Sequence, residues 1–177
     1  MADYNLEQLR ILLVEDNEHM RTLIKEILRS FNIRNVKDVA DGSEGLETMQ
    51  SFAADVVICD WSMQPMDGLA FVEAVRHDKE STNPYVPVIM LTGHTEVEKV
   101  MEARDSGITE FLAKPVSPRG LYERLCMVIE KPRQFIKTKS YMGPDRRRMK
   151  PTPATNQGRR HGDNENSEED DTPPPTE

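Results

Sequence analysis

Five short apolar runs, separated by amphipathic stretches, occupy the first 130 residues of this 177-residue chain. Most of these runs are continuously apolar rather than alternating, which is typical of strands buried on both faces of a sheet. The runs cover residues 11–14, 36–40, 56–59, 86–91 and 110–112. Strands that alternate strictly with helices predict an α/β domain in which a parallel sheet is covered by helices on both faces.

The stretches between the runs carry helical spacing. Met20, Leu23, Ile24, Ile27 and Leu28 recur at intervals of three and four residues, as on one face of a helix. Similar faces are formed by Leu69, Phe71, Val72 and Val75, by Val97, Val100 and Met101, and by Leu121, Leu125, Val128 and Ile129; residues 43–51 are a weaker candidate. With right-handed crossovers, five such units predict a flavodoxin-like, doubly wound, five-stranded parallel sheet of order 2-1-3-4-5.

The composition changes after residue 130. Residues 131–177 hold seven of the twelve prolines and few apolar side chains, so too little surface can be buried to offset the ordering entropy. We therefore predict a folded domain over residues 1–130 and a disordered, low-complexity tail over 131–177. The tail is basic over 131–162, with a net charge of +9, and acidic over 163–177, with a net charge of −7. A short element around Phe135, Ile136, Tyr141 and Met142 remains able to dock.

Several classes of protein are disfavoured by composition. No apolar run approaches the ~18 residues of a membrane span, and the first ten residues do not resemble a secretory signal. Cys59 and Cys126 are too few for a disulfide framework or a four-cysteine zinc site, so we expect a cytoplasmic protein. Residues 1–130 carry a net charge of −10, and no helix-turn-helix pattern follows them, so direct DNA binding is not expected.

Polar side chains stand at the ends of four predicted strands: Glu15 and Asp16, Asp60, Thr92, and Lys114. In the order 2-1-3-4-5, a crevice opens at the carboxyl ends of strands 1 and 3. Three clustered carboxylates favour a bound cation, and hard oxygen ligands indicate Mg²⁺. Lys114 and Thr92 could then hold phosphate oxygens. Asp60, between the metal and the lysine, is placed to attack phosphorus and form an aspartyl phosphate.

The segments ILLVEDN, VVICDWSMQPMDG, VIMLTGHTE and EFLAKP resemble the receiver domain of two-component response regulators. The resemblance covers about residues 8–130, and the layout is similar to that of the chemotaxis-type single-domain regulators. It implies a signalling switch rather than a conventional enzyme. A sensor histidine kinase or His-phosphotransfer protein would donate the phosphoryl group, and a downstream protein target would bind the face made by the fourth helix, fifth strand and fifth helix.

The same resemblance assigns roles to the residues of the crevice. It implies that Asp60 is the phosphorylated residue and that Asp16 binds Mg²⁺ directly, with Glu15 acting through water. The backbone carbonyl of Ser62 would be a further metal ligand.

Three more roles follow from the resemblance. Thr92 and Phe111 would be the switch residues, and Lys114 would contact a phosphoryl oxygen. The bond between Lys114 and Pro115 is expected to be cis. One departure from the family pattern is the loop after Asp60, where Gln64 stands in the usual proline position and Pro65 follows it.

Alternatives remain open at this point. The chain could be a phosphorelay intermediate that passes phosphoryl groups between His and Asp carriers. A hydrolase using aspartyl-phosphate chemistry is disfavoured, because Ser62 occupies the position where a dehalogenase-like phosphatase has its second aspartate. In the tail, Arg146, Arg147 and Arg148 could fold back on the acidic domain, dock a partner, or bind an anionic ligand such as a cyclic dinucleotide.

Overall fold

A computed structural model describes residues 6–93, 106–130, 132–138 and 141–145 of the chain. The strands of the main sheet are β1 (Arg10–Val14), β2 (Asn35–Val39), β3 (Val56–Asp60), β4 (Val88–Thr92) and β5 (Glu110–Ala113). The helices are α1 (Glu18–Ser30), α2 (Gly42–Ser51), α3 (Gly68–His77) and α4 (Pro118–Glu130), the last being the fifth helix expected from the sequence. The helix expected at Val97, Val100 and Met101 lies outside the described residues.

The five strands form one parallel sheet in the order β2-β1-β3-β4-β5, which confirms the predicted flavodoxin-like topology. Strand boundaries differ from the prediction by one or two residues. β4 begins at Val88 rather than Val86 because Pro87 has no N–H to give to the ladder, although its carbonyl accepts a hydrogen bond from Val57. β3 extends through Asp60, so this carboxylate belongs to the last residue of a central strand.

Alternate residues of the central strands supply two separate cores. On one face, Ile11 and Leu13 pack with α1 and α4. On the other face, Leu12 and Val14 pack with α2 and α3. The period of two in a strand sends successive side chains to opposite faces, and both faces are covered, which explains why these strands are apolar without alternation.

Each of the first three helices begins at a side-chain cap directly after a loop. Asn17 accepts a hydrogen bond from the Met20 amide at 3.1 Å, and Asp67 accepts one from the Ala70 amide at 2.8 Å. Asp41 caps α2 in the same way. These caps satisfy amides that the first helical turn leaves unpaired. Because Asn17 starts α1 directly after Asp16, the β1–α1 connection is short and holds Glu15 and Asp16 at the carboxyl end of the sheet.

An ordered element follows the predicted boundary at residue 130. β6 (Phe135–Lys137) and β7 (Met142–Pro144) pair as an antiparallel hairpin. One compact unit of the chain spans Met1–Arg147 and therefore includes this hairpin. Averaging the composition over residues 131–177 gave little weight to the few apolar side chains of this segment. One of them, Met142, is buried. The rest of the predicted tail, including Arg146, Arg147 and Arg148, lies outside the described residues.

None of the helices that the structure describes combines the length and the apolar composition needed to cross a membrane.

Candidate functional site

Four strand ends meet at the carboxyl edge of the sheet, as the sequence predicted. Asp60 ends β3 and Thr92 ends β4, while Glu15 and Lys114 directly follow β1 and β5. Lys114 Nζ lies 2.7 Å from Asp60 Oδ1 and 3.0 Å from Glu15 Oε2. The Lys114 amide donates to the Thr92 carbonyl at 2.8 Å, which continues the β4–β5 ladder and fixes the base of the lysine.

Three carboxylates gather beside this ammonium group. One oxygen from each of Glu15, Asp16 and Asp60 can be chosen so that the three lie within 4.8 Å of one another. Glu15 and Asp60 are buried, with 1% and 5% of their surfaces exposed, whereas Asp16 is exposed at the mouth of the crevice. One ammonium beside three carboxylates leaves an excess of negative charge, which favours a divalent cation.

Glu15 shows most directly that the donor set fits a cation. Its Oε1 accepts a hydrogen bond from the Asn17 amide at 3.3 Å. Its Oε2 is buried, and within the described part of the chain its one close polar neighbour is Lys114 Nζ, at 3.0 Å. A buried carboxylate oxygen in this position retains acceptor capacity for a metal-bound water. Together with two further carboxylates, it forms the kind of oxygen donor set that suits Mg²⁺.

Burial makes the negative charges of the site costly. It raises the pKa of Asp60, against the opposing effects of Lys114 and the Trp61 amide, which donates to Asp60 Oδ1 at 2.8 Å. Burial and the nearby Asp60 raise the pKa of Glu15 as well. For Lys114, burial acts to lower the pKa, but the hydrogen bond and charge of Asp60 and the contact with Glu15 outweigh it, so the pKa is raised. The lysine therefore stays charged while the carboxylates bind protons more readily than usual.

Gly68 allows the next loop to approach Asp60 closely. The Gly68 amide donates to the Trp61 carbonyl at 2.9 Å, and a Cβ on Gly68 would overlap the Asp60 carbonyl oxygen. Trp61 itself is buried. The loop between β3 and α3 is thus held against the end of β3.

Arg21 is a site-shaping residue that no sequence motif indicated. From the first turns of α1 its Nη1 donates to the carbonyls of Glu15 at 2.6 Å and Asp16 at 3.0 Å. Its Nε also lies 3.6 Å from a carboxylate oxygen of Asp38 on β2. In the sequence, the only signal for this role of Arg21 was a basic residue about one and a half helical turns after the acidic pair Glu15 and Asp16.

The remaining predicted residues lie around this cluster. Thr92 is buried at the rim, and Ser62 is exposed just beyond β3. Phe111 is half-buried and packs against the core on the α2–α3 face rather than against the carboxylates. The Lys114–Pro115 bond is cis, as expected, and the Gln64–Pro65 bond, in the loop that departs from the family pattern, is cis as well.

Comparison with known proteins agrees with this geometry. Residues 11–126 match the response regulator receiver domain, and the chain therefore belongs to that family. It is 30% identical over 125 residues to the chemotaxis protein CheY-3 of Vibrio cholerae, covering 71% of this chain and 95% of the relative. It is also 30% identical over 123 residues to the chemotaxis protein CheY of Pseudomonas aeruginosa, covering 70% and 98%.

Solved structures show the same fold. Vibrio cholerae CheY4 is 34% identical and superposes with a TM-score of 0.61, covering 68% of this chain and 98% of that one. The receiver domain of the sensor histidine kinase PA1611 from Pseudomonas aeruginosa PAO1 is 29% identical, with a TM-score of 0.62 and coverage of 70% and 98%. That structure is described as having a magnesium ion coordinated in its active site cleft.

Proposed function

We propose that this chain accepts a phosphoryl group from a phosphohistidine donor onto Asp60, with Mg²⁺ bound at the acidic cluster. The observation that carries the proposal is the 2.7 Å contact between Lys114 Nζ and Asp60 Oδ1 beside the carboxylates of Glu15 and Asp16. A buried carboxylate flanked by a cation on one side and a candidate metal site on the other is suited to phosphoryl transfer, which depends on positioning and charge neutralisation.

In the proposed reaction, a carboxylate oxygen of Asp60 forms a bond to phosphorus while the phosphorus–nitrogen bond of the donor histidine breaks. The imidazole nitrogen keeps the electron pair of that bond. Mg²⁺, when bound, neutralises charge on the phosphoryl oxygens. Asp16 and the backbone carbonyl of Ser62 would hold it directly, and Glu15 would do so through water.

Three residues would respond to the new phosphoryl charge. Lys114 exchanges its present contact with Asp60 for one with a phosphoryl oxygen, and the Thr92 hydroxyl donates to another. Phe111 then moves from its half-buried position toward the space behind Thr92. β5 and α4, together with the helix that the sequence predicts at Val97, Val100 and Met101, would thereby present a changed surface to a downstream protein. The product is a signalling state rather than a released chemical.

The decisive experiment is phosphorylation with acetyl phosphate or a phosphorylated histidine kinase, followed by peptide mapping. We expect the label on Asp60, no labelling of Asp60→Asn, and a strict requirement for Mg²⁺. Asp55→Asn is a matched control, since Asp55 lies at the amino end of the same strand and pairs with Arg10. Full labelling of Asp60→Asn would overturn the assignment.

A further inference from the structure

The β6–β7 hairpin packs at the end of the sheet opposite the carboxylates. It is closed by hydrogen bonds from the Asp145 amide to the Gln134 carbonyl and from the Thr138 amide to the Tyr141 carbonyl, both 2.7 Å. Tyr141 also donates through its hydroxyl to the Pro144 carbonyl at 2.7 Å. A two-stranded hairpin is marginal in water by itself, so the receiver must supply the surface that stabilises it.

That surface is centred on Arg76 in α3, a buried cation with 2% of its surface exposed. Its guanidinium donates to the carbonyls of Gly107 (3.0 and 2.9 Å), Pro84 (2.8 Å) and Val86 (2.8 Å). Burial lowers the pKa of Arg76 to about 10. Within the described residues its hydrogen-bond partners are all neutral carbonyls, so the charge depends on complete hydrogen bonding and on shielding from competing water.

The hairpin supplies the shielding. The Phe135 ring lies 5.1 Å from the guanidinium carbon of Arg76 and meets the Tyr85 ring edge-on at 5.6 Å. A cation over an aromatic face gains electrostatic energy in addition to the apolar burial. Phe135 thus closes the guanidinium site from the solvent side.

At Gly107 the backbone of the receiver lies close to the backbone of β7. Gly107 has a φ of +84°, and a Cβ there would stand 2.6 Å from the Met142 carbonyl oxygen and 3.0 Å from Arg76. Only glycine combines that conformation with so close an approach. The turn before β5 is therefore shaped to receive β7.

A second contact, an ion pair, joins the hairpin segment to β5. Arg133 Nη2 lies 2.8 Å from Glu110 Oε1, and Glu110 is the first residue of β5. The next residue is Phe111, whose carbonyl accepts a hydrogen bond from Arg124 of α4 at 2.9 Å. The hairpin is thus attached to the residue adjacent to the proposed switch aromatic, on a strand of only four residues that ends next to Lys114.

We propose that the β6–β7 hairpin, described over residues 132–138 and 141–145, is a regulatory clasp. It closes over Arg76 and Glu110 when Phe111 is half-buried and opens when Phe111 moves inward. This inference rests on the proposed function, since phosphorylation of Asp60 is what moves Phe111. A shift of Phe111 displaces the adjoining Glu110 from Arg133 and disturbs the turn at Gly107. Coupling between two sites is reciprocal, so an open clasp must also favour the phosphoryl-bound state.

The first test is hydrogen exchange of the full chain with and without Mg²⁺ and beryllofluoride, a phosphoryl mimic. The amides of Thr138 and Asp145 report on hairpin closure. We expect their exchange to become about tenfold faster with the mimic, within the usual range of coupled sites. Asp60→Asn should show no such response.

The second test measures beryllofluoride affinity in hairpin variants. Phe135→Leu keeps apolar bulk but removes the aromatic face over Arg76, and Arg133→Gln removes the charge opposite Glu110. Each should bind the mimic several-fold more tightly than the wild type. Ile136→Ala is the matched control, because Ile136 lies on the same strand with 38% of its surface exposed, and its affinity should match the wild type.

The outcomes separate the two proposals. If the wild-type chain binds the mimic but Thr138 and Asp145 exchange unchanged, the clasp proposal is overturned and phosphorylation stands. Equal or weaker binding by both Phe135→Leu and Arg133→Gln overturns the clasp as well. If the wild-type chain binds no mimic, the proposed function fails and the clasp mechanism fails with it.

Discussion

Lys114 Nζ lies 2.7 Å from Asp60 Oδ1, and this ion pair joins the ends of two strands that are not neighbours in the sheet. β4 lies between β3 and β5, so the lysine crosses the end of β4, where Thr92 is buried. The negative charge of the buried Asp60 carboxylate is balanced by the Lys114 ammonium. In the proposed reaction this ammonium would turn from Asp60 to a phosphoryl oxygen.

Removing the lysine should destabilise the protein as well as block phosphorylation. Lys114→Met leaves Asp60 buried without its cation, and we expect a loss of roughly 1–3 kcal/mol in the free energy of unfolding without Mg²⁺. Denaturant unfolding measures this directly. Lys114→Met combined with Asp60→Asn should regain part of the loss, because Glu15 is then the only one of the two buried carboxylates left without the cation.

The matched control is Arg119→Met. Arg119 is an exposed cation that pairs with Glu123 one helical turn away, and exposed pairs of this kind contribute little to stability. Its unfolding free energy should stay near that of the wild type. An equal loss in the Arg119 and Lys114 variants would contradict the importance given to the buried pair.

Asp60→Asn should be more stable than the wild type at neutral pH without Mg²⁺. The pKa of Asp60 is raised by burial, so the folded protein holds the carboxyl proton more tightly than the unfolded chain does. The wild type is therefore penalised above the folded pKa, and the difference from Asp60→Asn should shrink as the pH falls through that pKa. Thermal unfolding of both proteins at a series of pH values measures the change.

Asp55→Asn again serves as control, because Asp55 is an exposed carboxylate in a surface pair with Arg10. It should show little of this pH-dependent gain. Saturating Mg²⁺ should reverse the order of stability, since a ligand that binds the folded wild type stabilises it by mass action. A wild type that remains more stable than Asp60→Asn in metal-free neutral buffer would contradict the prediction.

Mg²⁺ affinity should weaken on acidification at a higher pH than for ordinary surface carboxylates. Glu15 and Asp60 both have raised pKa values because of burial, and protons compete with the metal for the same oxygens. Trp61 is the chain's single tryptophan, and its amide donates to Asp60, so its fluorescence is a direct reporter. Titrations of Mg²⁺ against pH should show the loss in the wild type and weak, nearly pH-independent binding in a Glu15→Gln, Asp60→Asn double variant.

Gly68→Ala should disturb the site through the backbone. The new Cβ would overlap the Asp60 carbonyl oxygen, which belongs to a central strand and cannot easily move. We expect a loss of about 1–3 kcal/mol in unfolding free energy, together with weaker Mg²⁺ binding. Calorimetric unfolding and the Trp61 titration measure the two effects.

Gly120→Ala is the comparison for that variant. A Cβ on Gly120 would meet side-chain atoms of Ser117 and Leu112 at 3.0 and 3.2 Å, and both can adjust. Alanine also favours the helix more than glycine does. Gly120→Ala should therefore leave Mg²⁺ binding unchanged. Weakened Mg²⁺ binding in both variants would indicate a general effect of glycine replacement rather than a specific one at Asp60.

The sheet order and the set of rim residues were predictable because they depend on local patterns. Continuous apolar runs indicated doubly covered strands, and a parallel alternating fold has its strand ends at one edge. Glu15, Asp60 and Lys114 could be assigned to this edge from their positions at the ends of those apolar runs alone. The burial of Trp61 was not predictable in this way, since burial next to a crevice depends on how the following loop folds back against the sheet.

Arg76 had no local signal, and the hairpin had only a weak one. Arg76 lies on an otherwise apolar face of α3, and its environment is made by carbonyls from three distant positions. The β6–β7 hairpin has little apolar surface of its own, so composition placed it in the tail, and its few apolar side chains indicated only a short element able to dock. The buried Arg76 and the hairpin can be explained only together. Phe135 and Met142 of the hairpin gain their burial from a receiver surface that the rest of the chain builds.

The amino-acid sequence by itself determined the α/β class, the order of the strands, the family and the carboxylates that line the rim, because periodicity and strand-end position are properties of nearby residues. Tertiary structure alone decided the 2.7 Å Lys114–Asp60 contact, the burial of Glu15 beside Lys114 and the closure of the hairpin over Arg76. Each of these depends on desolvation and on distances between segments far apart in the chain, which exist only after the strands have paired.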